Sequence, residues 1–267
     1  MDQAGIDMQV LSMTSPGVQM FDADLATAMA RSTNDQLAAA VARRPARYAA
    51  LASFAPQDPH GAAKEIDRAI NTLKLHGLIV NSHTGGRYLD EPRFRPILEA
   101  ASALKAPIYI HPRNPPFPAS KILDGPYSLY GAIWGFQMET GIHAMRLIVN
   151  GVFDAFPDLQ IVLGHMGEAL PYWLYRIDYM WRGNLKRKPS DYVKDNFLIT
   201  TSGVNHHAVL EYCHGVLGAD RIMFAVDYPY QETMEAARFM RSAKLPEGDL
   251  DKIASRNAER VFRLRGA

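Results

Sequence analysis

Cysteine is almost absent from this sequence: among its 267 residues there is one, Cys213. A single cysteine cannot form an internal disulfide, which excludes the disulfide-stabilised class of small secreted proteins. The first seven residues carry two acids, Asp2 and Asp7, where a signal peptide needs a basic and then an apolar stretch. We therefore expect a reduced, cytoplasmic protein.

Long apolar runs and an excess of charge are missing as well. No stretch approaches the roughly 18 to 20 uninterrupted apolar residues of a membrane helix. Lys and Arg number 29 against 28 Asp and Glu, so the net charge of +1 gives no support to a nucleic-acid or membrane-surface role. A linker rich in Pro, Gly or Ser is also lacking, and 48% of the residues are hydrophobic. We expect one domain over residues 1–267 with an ample core.

Short apolar runs alternate with longer segments of helical spacing. The seven runs, each a predicted strand, are Met8–Met13, Tyr48–Phe54, Leu78–Asn81, Pro107–His111, Leu159–His165, Phe197–Thr201 and Arg221–Val226. The segments with apolar spacing near 3.6 are Ala23–Val41, Gly61–Leu75, Phe94–Leu104, Met138–Phe156, Ala169–Trp181 and His206–Leu217. The predicted order is thus strand then helix, repeated.

Continuous apolar strands such as 108–110 and 161–163 are typical of a parallel sheet covered by helices. At this length a (β/α)8 TIM barrel is favoured over a doubly wound open sheet. Seven strands are one short of eight, and the chain opens without a preceding helix, so we expect the first strand to be the missing one. A proline-rich loop over 112–130 predicts a lid or an assembly contact.

Polar residues close three of the predicted strands. His111, His165 and Asp227 each follow an apolar run, and the carboxyl ends of barrel strands meet at one rim. Neutral imidazoles and a carboxylate are ligands of Zn2+ or Mn2+, so the rim is a candidate metal site. Any one of these histidines taken alone is better explained as a hydrogen-bonded structural residue, but three coincident strand ends favour the metal site.

The remaining candidates are weaker. His83 follows a strand end directly, and both a pocket role and a structural role stay open for it. Arg176 lies 11 residues past His165. An arginine fork suits a substrate carboxylate, but a surface ion pair explains this residue too. Solvated or capping roles are expected for the histidines in or beside helices, which are His60, His76, His143, His206, His207 and His214.

Four motifs together resemble the metal-dependent aromatic decarboxylase branch of the amidohydrolase superfamily, and within it most of all the 5-carboxyvanillate decarboxylases. The motifs are Leu11–Gln19, Asn81–Thr84, Gly164–Glu168 with Leu170–Trp173, and Asp227–Tyr230. γ-Resorcylate, 2,3-dihydroxybenzoate and, more distantly, aminocarboxymuconate semialdehyde decarboxylases belong to the same branch. The resemblance covers nearly the whole chain.

This resemblance implies roles for eight residues. It makes His111 and Asp227 metal ligands, Asp227, His165 and Glu168 catalytic residues, and Arg176, Tyr230, Thr14 and His83 substrate-binding residues. It implies a divalent ion, Mn2+ or Zn2+, and no organic cofactor. A small aromatic carboxylate is the implied ligand, and the implied assembly is a homo-oligomer, dimer or tetramer.

The implied reaction is non-oxidative decarboxylation of an ortho-hydroxybenzoate such as 5-carboxyvanillate, with Asp227 protonating the ring and His165 orienting it. One departure is at the front: the branch begins with a strand carrying a metal-binding glutamate, which is not found here. Either the start lies downstream of the true one or the product is truncated. The alternatives are metal-dependent hydrolysis of a lactone or amide, and an inactive scaffold.

Overall fold

The computed structural model describes residues 1–264, and its centre is one parallel sheet whose strands follow chain order. The strands are β1 (Gln9–Leu11), β2 (Tyr48–Ser53), β3 (Gly77–Asn81), β4 (Ile108–His111), β5 (Ile161–Leu163), β6 (Phe197–Thr200) and β7 (Ile222–Met223). All seven predicted strands are confirmed, and β1 and β7 are the two edges of the sheet within the described residues. Strand and helix alternate around it in the manner of a TIM barrel with one strand fewer than eight.

Helices connect the strands and cover the outer face of the sheet. They are α1 (Ala23–Arg43), α2 (Pro59–Asp67), α3 (Arg95–Ala103), α4 (Gly135–Val149), α5 (Val152–Ala155), α6 (His165–Glu168), α7 (Leu170–Met180), α8 (Pro189–Asn196), α9 (His207–Leu217), α10 (Thr233–Ser242), α11 (Glu247–Asp251) and α12 (Asn257–Val261). Shorter 3₁₀ turns occupy Asp2–Ala4, Gly17–Met20, Pro92–Phe94, Ala119–Leu123, Gly131–Ile133 and Ala219–Arg221, and π turns occupy Arg68–Thr72 and Lys252–Arg256. Within residues 1–264, no helix is long and apolar enough to cross a membrane.

Two of the predicted helices differ from the observed ones. The segment predicted over 138–156 is broken at Gly151, whose φ of 73° ends α4 before α5 begins. The segment predicted over 61–75 finishes as a π turn after α2. Five helices were not predicted: α6, which is a single turn, and α8 and α10 to α12, which are short and carry several charges.

Alternation along each strand decides which side chains reach the interior. On β3 the side chains of Leu78 and Val80 pack in the cluster beneath the helices, while Ile79 packs in the cluster inside the sheet. On β4 the same parity sends Ile108 and Ile110 outward and Tyr109 inward. His111 shares the parity of Tyr109, so the strand itself directs this histidine toward the interior at its carboxyl end.

Candidate active site

The catalytic candidates meet where β5 and β7 end. His165 lies two residues beyond β5, and Asp227 lies four residues beyond β7. The Nε2 atom of His165 is 3.8 Å from Oδ2 of Asp227. Chain positions 62 residues apart are thus brought together because β5 and β7 both pair in parallel with β6, as the strand-end argument predicts.

A left-handed turn sets the orientation of His165. The φ angles of His165, Met166, Gly167, Glu168 and Ala169 are 49°, 56°, 78°, 54° and 62°, so α6 is one turn of left-handed helix. The left-handed conformation costs a non-glycine residue roughly 1–2 kcal/mol. Four of the five residues bear that cost, and strain of this kind is concentrated at functional sites.

The turn brings His165 and Glu168 into direct contact. Nδ1 of His165 lies 2.6 Å from Oε1 of Glu168, whose side chain is fully buried. Burial alone lowers the pKa of His165, but the two carboxylates of Asp227 and Glu168 outweigh it and raise that pKa to about 10. The ring is therefore an imidazolium at neutral pH, with Nδ1–H donating to Glu168 and Nε2–H facing Asp227. We call these three residues the rim cluster.

His111 has the opposite protonation state. Its Nδ1–H donates to the backbone oxygen of Pro112 at 2.9 Å, which leaves Nε2 with a free lone pair. Burial, assisted by the charge of His165, lowers the pKa of His111, while the Pro112 oxygen and the charge of Asp227 act the other way. A neutral imidazole with a lone pair is the state that binds a metal ion.

The expected three-ligand set of His111, His165 and Asp227 needs correction. A protonated His165, held by Glu168, has no lone pair to offer. In residues 1–264, no three His, Cys, Asp or Glu side chains are arranged to hold a metal ion by themselves. His111 and Asp227, the ligand pair that the motif resemblance implied, stay a prediction.

The sequence patterns did not single out the glycine and the hydroxyl-bearing residues that surround the rim cluster. A Cβ on Gly203, which has φ +69°, would lie 3.0 Å from Cδ2 of His165 and 3.4 Å from Oδ2 of Asp227. Ser202 Oγ accepts from the backbone N–H of His165 at 3.3 Å and lies 2.8 Å from Oγ1 of Thr200. Thr200 in turn contacts the hydroxyl of Tyr109 at 3.3 Å. The only sequence signal was the alternation along β4 and β6, which directs Tyr109 and Thr200 toward the interior of the sheet.

Two candidates from distant motifs meet at the mouth of the site. Oγ1 of Thr14 is 3.1 Å from the hydroxyl of Tyr230, and both residues are exposed. The loop bearing Thr14 is tied down by Gln19, whose Nε2 donates to the Asn81 oxygen at 2.9 Å and whose Oε1 accepts from the Asn81 N–H at 2.7 Å. The Leu11–Gln19 motif therefore connects the first loop to the end of β3.

The structure does not bring Arg176 and His83 into the rim cluster. Arg176 is exposed on α7. His83 is buried, and both its ring nitrogens are occupied: Nδ1 accepts from the N–H of Gly86 at 3.2 Å, and Nε2–H donates to the oxygen of Asn114 at 3.0 Å. The bond to Asn114 fastens the loop after β3 to the loop after β4.

A second buried group lies against α4, and we call it the α4 cluster: Ser82, Tyr88, Glu139 and His143. Glu139 accepts from Ser82 Oγ and from the Tyr88 hydroxyl, both at 2.9 Å. Nε2 of His143 accepts from the N–H of Leu89 at 3.2 Å, so Nδ1 carries the proton and donates to Ser82 at 3.1 Å. The expectation of a solvated or capping His143 is wrong, because this face of α4 packs against the segment after β3 and leaves the residue 0% exposed.

A β/α barrel with neutral imidazole, carboxylate and imidazolium side chains at the carboxyl ends of its strands defines a class of barrel enzyme that works on polar substrates at this rim. The particular family follows from comparison: the chain belongs to the amidohydrolase family, whose model matches residues 1–264. The predicted fold and family are confirmed.

Similar proteins are named as aromatic decarboxylases. The chain is 41% identical over 280 residues to γ-resorcylate decarboxylase of Rhizobium radiobacter, covering 100% of this chain and 86% of that one. The crystal structure of 5-carboxyvanillate decarboxylase from Sphingomonas paucimobilis superimposes with a TM-score of 0.97 at 49% identity, covering 99% of this chain and 81% of that one. A dihydroxybenzoic acid decarboxylase from Polaromonas, solved with bound manganese and 2-nitroresorcinol, gives 0.95 at 39% identity, with coverages of 100% and 85%.

Proposed function

We propose that this chain is a metal-dependent carboxy-lyase that removes CO2 from an ortho-hydroxybenzoate, with 5-carboxyvanillate as the first substrate to test. The observation that carries the proposal is the position of His165, which lies 2.6 Å from Glu168 and 3.8 Å from Asp227 at the rim where His111 ends β4. A proton source next to a potential metal ligand is what ring protonation followed by loss of CO2 requires. The similarity to 5-carboxyvanillate and γ-resorcylate decarboxylases supports the same reaction class.

The donor set fits a divalent ion in chemical type. His111 presents the Nε2 lone pair, and Asp227 presents carboxylate oxygens. These two residues would hold the ion, Mn2+ or Zn2+, and manganese is the ion named in related decarboxylase structures. When bound, a divalent ion neutralises the phenolate and carboxylate oxygens of the substrate and fixes the ring in place.

The proton path uses the residues of the rim cluster. Asp227, in its protonated form, gives its proton to the ring carbon that bears the carboxylate: the O–H bond breaks and a C–H bond forms. The carbon–carbon bond to the carboxylate then breaks, its electron pair restores the aromatic ring, and CO2 leaves. His165 stabilises the Asp227 carboxylate and can return a proton to it from Nε2, while Glu168 keeps the imidazolium oriented.

Substrate recognition is proposed for the residues at the mouth. Thr14 and Tyr230 present adjacent hydroxyl groups, which suit the phenolic and methoxy oxygens of a substituted ring. Arg176 stays a proposed contact for a second carboxylate, since its guanidinium is exposed. His83 is proposed to act through the loop that it fastens, because both its nitrogens already have partners.

The decisive experiment is turnover in D2O with Mn2+ supplied. We expect CO2 release from 5-carboxyvanillate or γ-resorcylate, and one deuterium at the ring carbon that carried the carboxylate. The same preparation is offered lactones and amides as the hydrolase control. Hydrolysis without CO2 release would overturn the proposal in favour of the hydrolytic alternative.

Further aspects of the working protein follow the same proposal. We infer that residues 1–267 act as one amidohydrolase domain and that the chain works as a homo-oligomer, a dimer or a tetramer. A cytoplasmic location stays a prediction from the single cysteine.

A further inference from the structure

Three hydroxyl side chains form a continuous line that ends at the backbone of His165. The Tyr109 hydroxyl lies 3.3 Å from Oγ1 of Thr200, and that atom lies 2.8 Å from Oγ of Ser202. Ser202 Oγ in turn accepts from the backbone N–H of His165 at 3.3 Å. Thr200 and Ser202 are 3% and 4% exposed. We call Tyr109, Thr200 and Ser202 the hydroxyl chain; it links β4, the end of β6 and the turn after β5.

The residue before His165 shows that space is kept for these hydroxyls. Gly164 has φ −72° and ψ −175°, an extended conformation open to any residue, so the backbone does not require glycine there. A Cβ at this position would lie 2.9 Å from the Tyr109 hydroxyl and 3.3 Å from Ser202 Oγ. The hydroxyl chain therefore explains why position 164 has no side chain.

The hydrogen bond from Ser202 acts where the strained turn begins. His165 is the first of its left-handed residues, with φ 49°, and such strain persists only where the surroundings fix the backbone. Ser202 restrains the N–H of His165, and Glu168 restrains its ring through Nδ1 at 2.6 Å. Held at both points, the ring keeps Nε2 directed at Asp227 across 3.8 Å.

We propose that the hydroxyl chain consists of positioning residues for the reaction. Its members act through His165, by fixing the backbone that holds the imidazole between Glu168 and Asp227. The inference rests on the proposed function, in which His165 works together with Asp227. A misplacement of about 1 Å at a reacting group costs about 10²-fold in rate. The catalytic step, and not substrate binding, should therefore depend on the hydroxyl chain.

The first test separates kcat from KM for CO2 release. Ser202→Ala removes the acceptor of the His165 N–H, so kcat should fall about 10- to 100-fold while KM changes by less than about twofold. Thr200→Val keeps the shape and removes the hydroxyl; it should lose about tenfold in kcat, which Thr200→Ser regains. Ser190→Ala is the matched control, because this buried serine of α8 donates to Asp178 at 2.6 Å and should lose stability alone.

Two kinetic outcomes contradict the proposal. An unchanged kcat in Ser202→Ala, with a loss of stability like that of Ser190→Ala, would make the hydroxyl chain purely structural. A raised KM at constant kcat would place Ser202 in substrate binding instead.

The Tyr109 end is tested by a double-variant cycle. Gly164→Ala pushes the new carbon against the Tyr109 hydroxyl, so the unfolding midpoint should fall. Adding Tyr109→Phe removes the clashing oxygen and should recover part of that fall, while kcat stays low because the hydroxyl chain is broken. Strictly additive losses of stability would show that the hydroxyl does not occupy this space, and would overturn the role of Tyr109.

A spectroscopic signature reports the position of His165 without turnover. The Nδ1–H that it shares with Glu168 should give a low-field proton resonance, assigned by isotope labelling of histidine and recorded with Zn2+ to avoid the broadening that Mn2+ causes. The signal should shift or disappear in Ser202→Ala and persist in Ser190→Ala. An unchanged signal in Ser202→Ala overturns the proposal. A shifted signal in a protein whose wild type releases no CO2 would support the positioning of His165 and reject the decarboxylation, so the two failures are distinguishable.

Discussion

The rim cluster and the α4 cluster are built from the same residue types, a buried histidine beside a buried glutamate, yet they differ in how far their polar atoms are paired. In the α4 cluster both nitrogens of His143 and both oxygens of Glu139 have hydrogen-bond partners. In the rim cluster, Oε2 of Glu168 is buried without a partner among residues 1–264. Nε2 of His165 faces Asp227 across 3.8 Å, beyond hydrogen-bond distance.

Backbone strain separates the two clusters as well. The rim cluster is mounted on a left-handed turn, whereas His143 and Glu139 lie within the regular helix α4. A closed set of hydrogen bonds on a regular helix contributes stability and nothing more, because no group is left to act on a ligand. An open set on a strained turn gives up stability, and its unpaired groups are free to move a proton. Substitutions in the two clusters should therefore have opposite signatures.

The largest effect is expected at Asp227. Asp227→Asn removes the proton donor and a metal ligand, so CO2 release should fall by about 10²- to 10⁴-fold while the fold is retained. Asp220→Asn is the matched control: this exposed carboxylate pairs with Lys252 and should leave turnover unchanged. Turnover is measured together with the unfolding midpoint. Substantial CO2 release from Asp227→Asn would remove Asp227 from its role as the acid.

The opposite signature, lost stability, is expected for Glu139→Ala in the α4 cluster. It leaves the hydroxyls of Ser82 and Tyr88 without their acceptor, so the free energy of unfolding should fall by about 3 kcal/mol. Glu99→Ala, which removes an exposed ion pair with Arg95, should cost less than 1 kcal/mol. Chemical denaturation gives both values. An unchanged stability of Glu139→Ala, with turnover lost, would make the α4 cluster functional rather than structural.

Acid should destabilise the fold because two buried histidines, His143 and His83, take up protons only in the unfolded chain. Burial lowers the pKa of His143 to about 3 and that of His83 to about 4, so both rings are neutral when folded. The unfolded chain takes up these protons below about pH 6.5, and stability is therefore lost as the pH falls from about 6.5 toward 4. At pH 5 each histidine contributes about 2 kcal/mol to this loss.

The His143→Gln variant checks that assignment. Its difference in unfolding free energy between pH 7 and pH 5 should be about 2 kcal/mol smaller than that of the wild type. His60→Gln changes an exposed histidine of α2 and serves as the control. An equal acid sensitivity of His143→Gln and wild type would show that another group takes up the proton.

The smallest effect is expected at Gly203, where a comparison with Gly85 separates the cost of backbone strain from the cost of displacing His165. Gly203→Ala and Gly85→Ala each put a Cβ on a left-handed residue, with φ +69° and +58°, so each should lose about 1 kcal/mol of stability. Only at Gly203 does the new carbon meet His165; at Gly85 nothing lies within 4 Å. Turnover should thus fall roughly tenfold for Gly203→Ala alone. Equal turnover of the two variants would mean that His165 tolerates displacement.

Much of the fold could be predicted because it depends on local patterns. Seven apolar runs gave seven strands, and the polar residue ending each run located His111, His165 and Asp227 at the rim. The charged helices α8 and α10 to α12 escaped prediction, since they are short, at five to ten residues, and their packing against the rest of the fold is not local information.

The sequence by itself determined the parallel strand order, the family motifs and the residue types of the site. Tertiary structure alone decided which histidine is protonated and which is neutral. His111 is neutral because burial opposes its charge and the Pro112 oxygen takes its Nδ1 proton, whereas His165 is charged because a left-handed turn places Glu168 against it and the sheet delivers Asp227 to its other side. His143, indistinguishable from them as a letter in the sequence, is sealed by α4 into a closed network. Protonation and pairing depend on the charges and donors that surround a ring, and those neighbours come from distant parts of the chain.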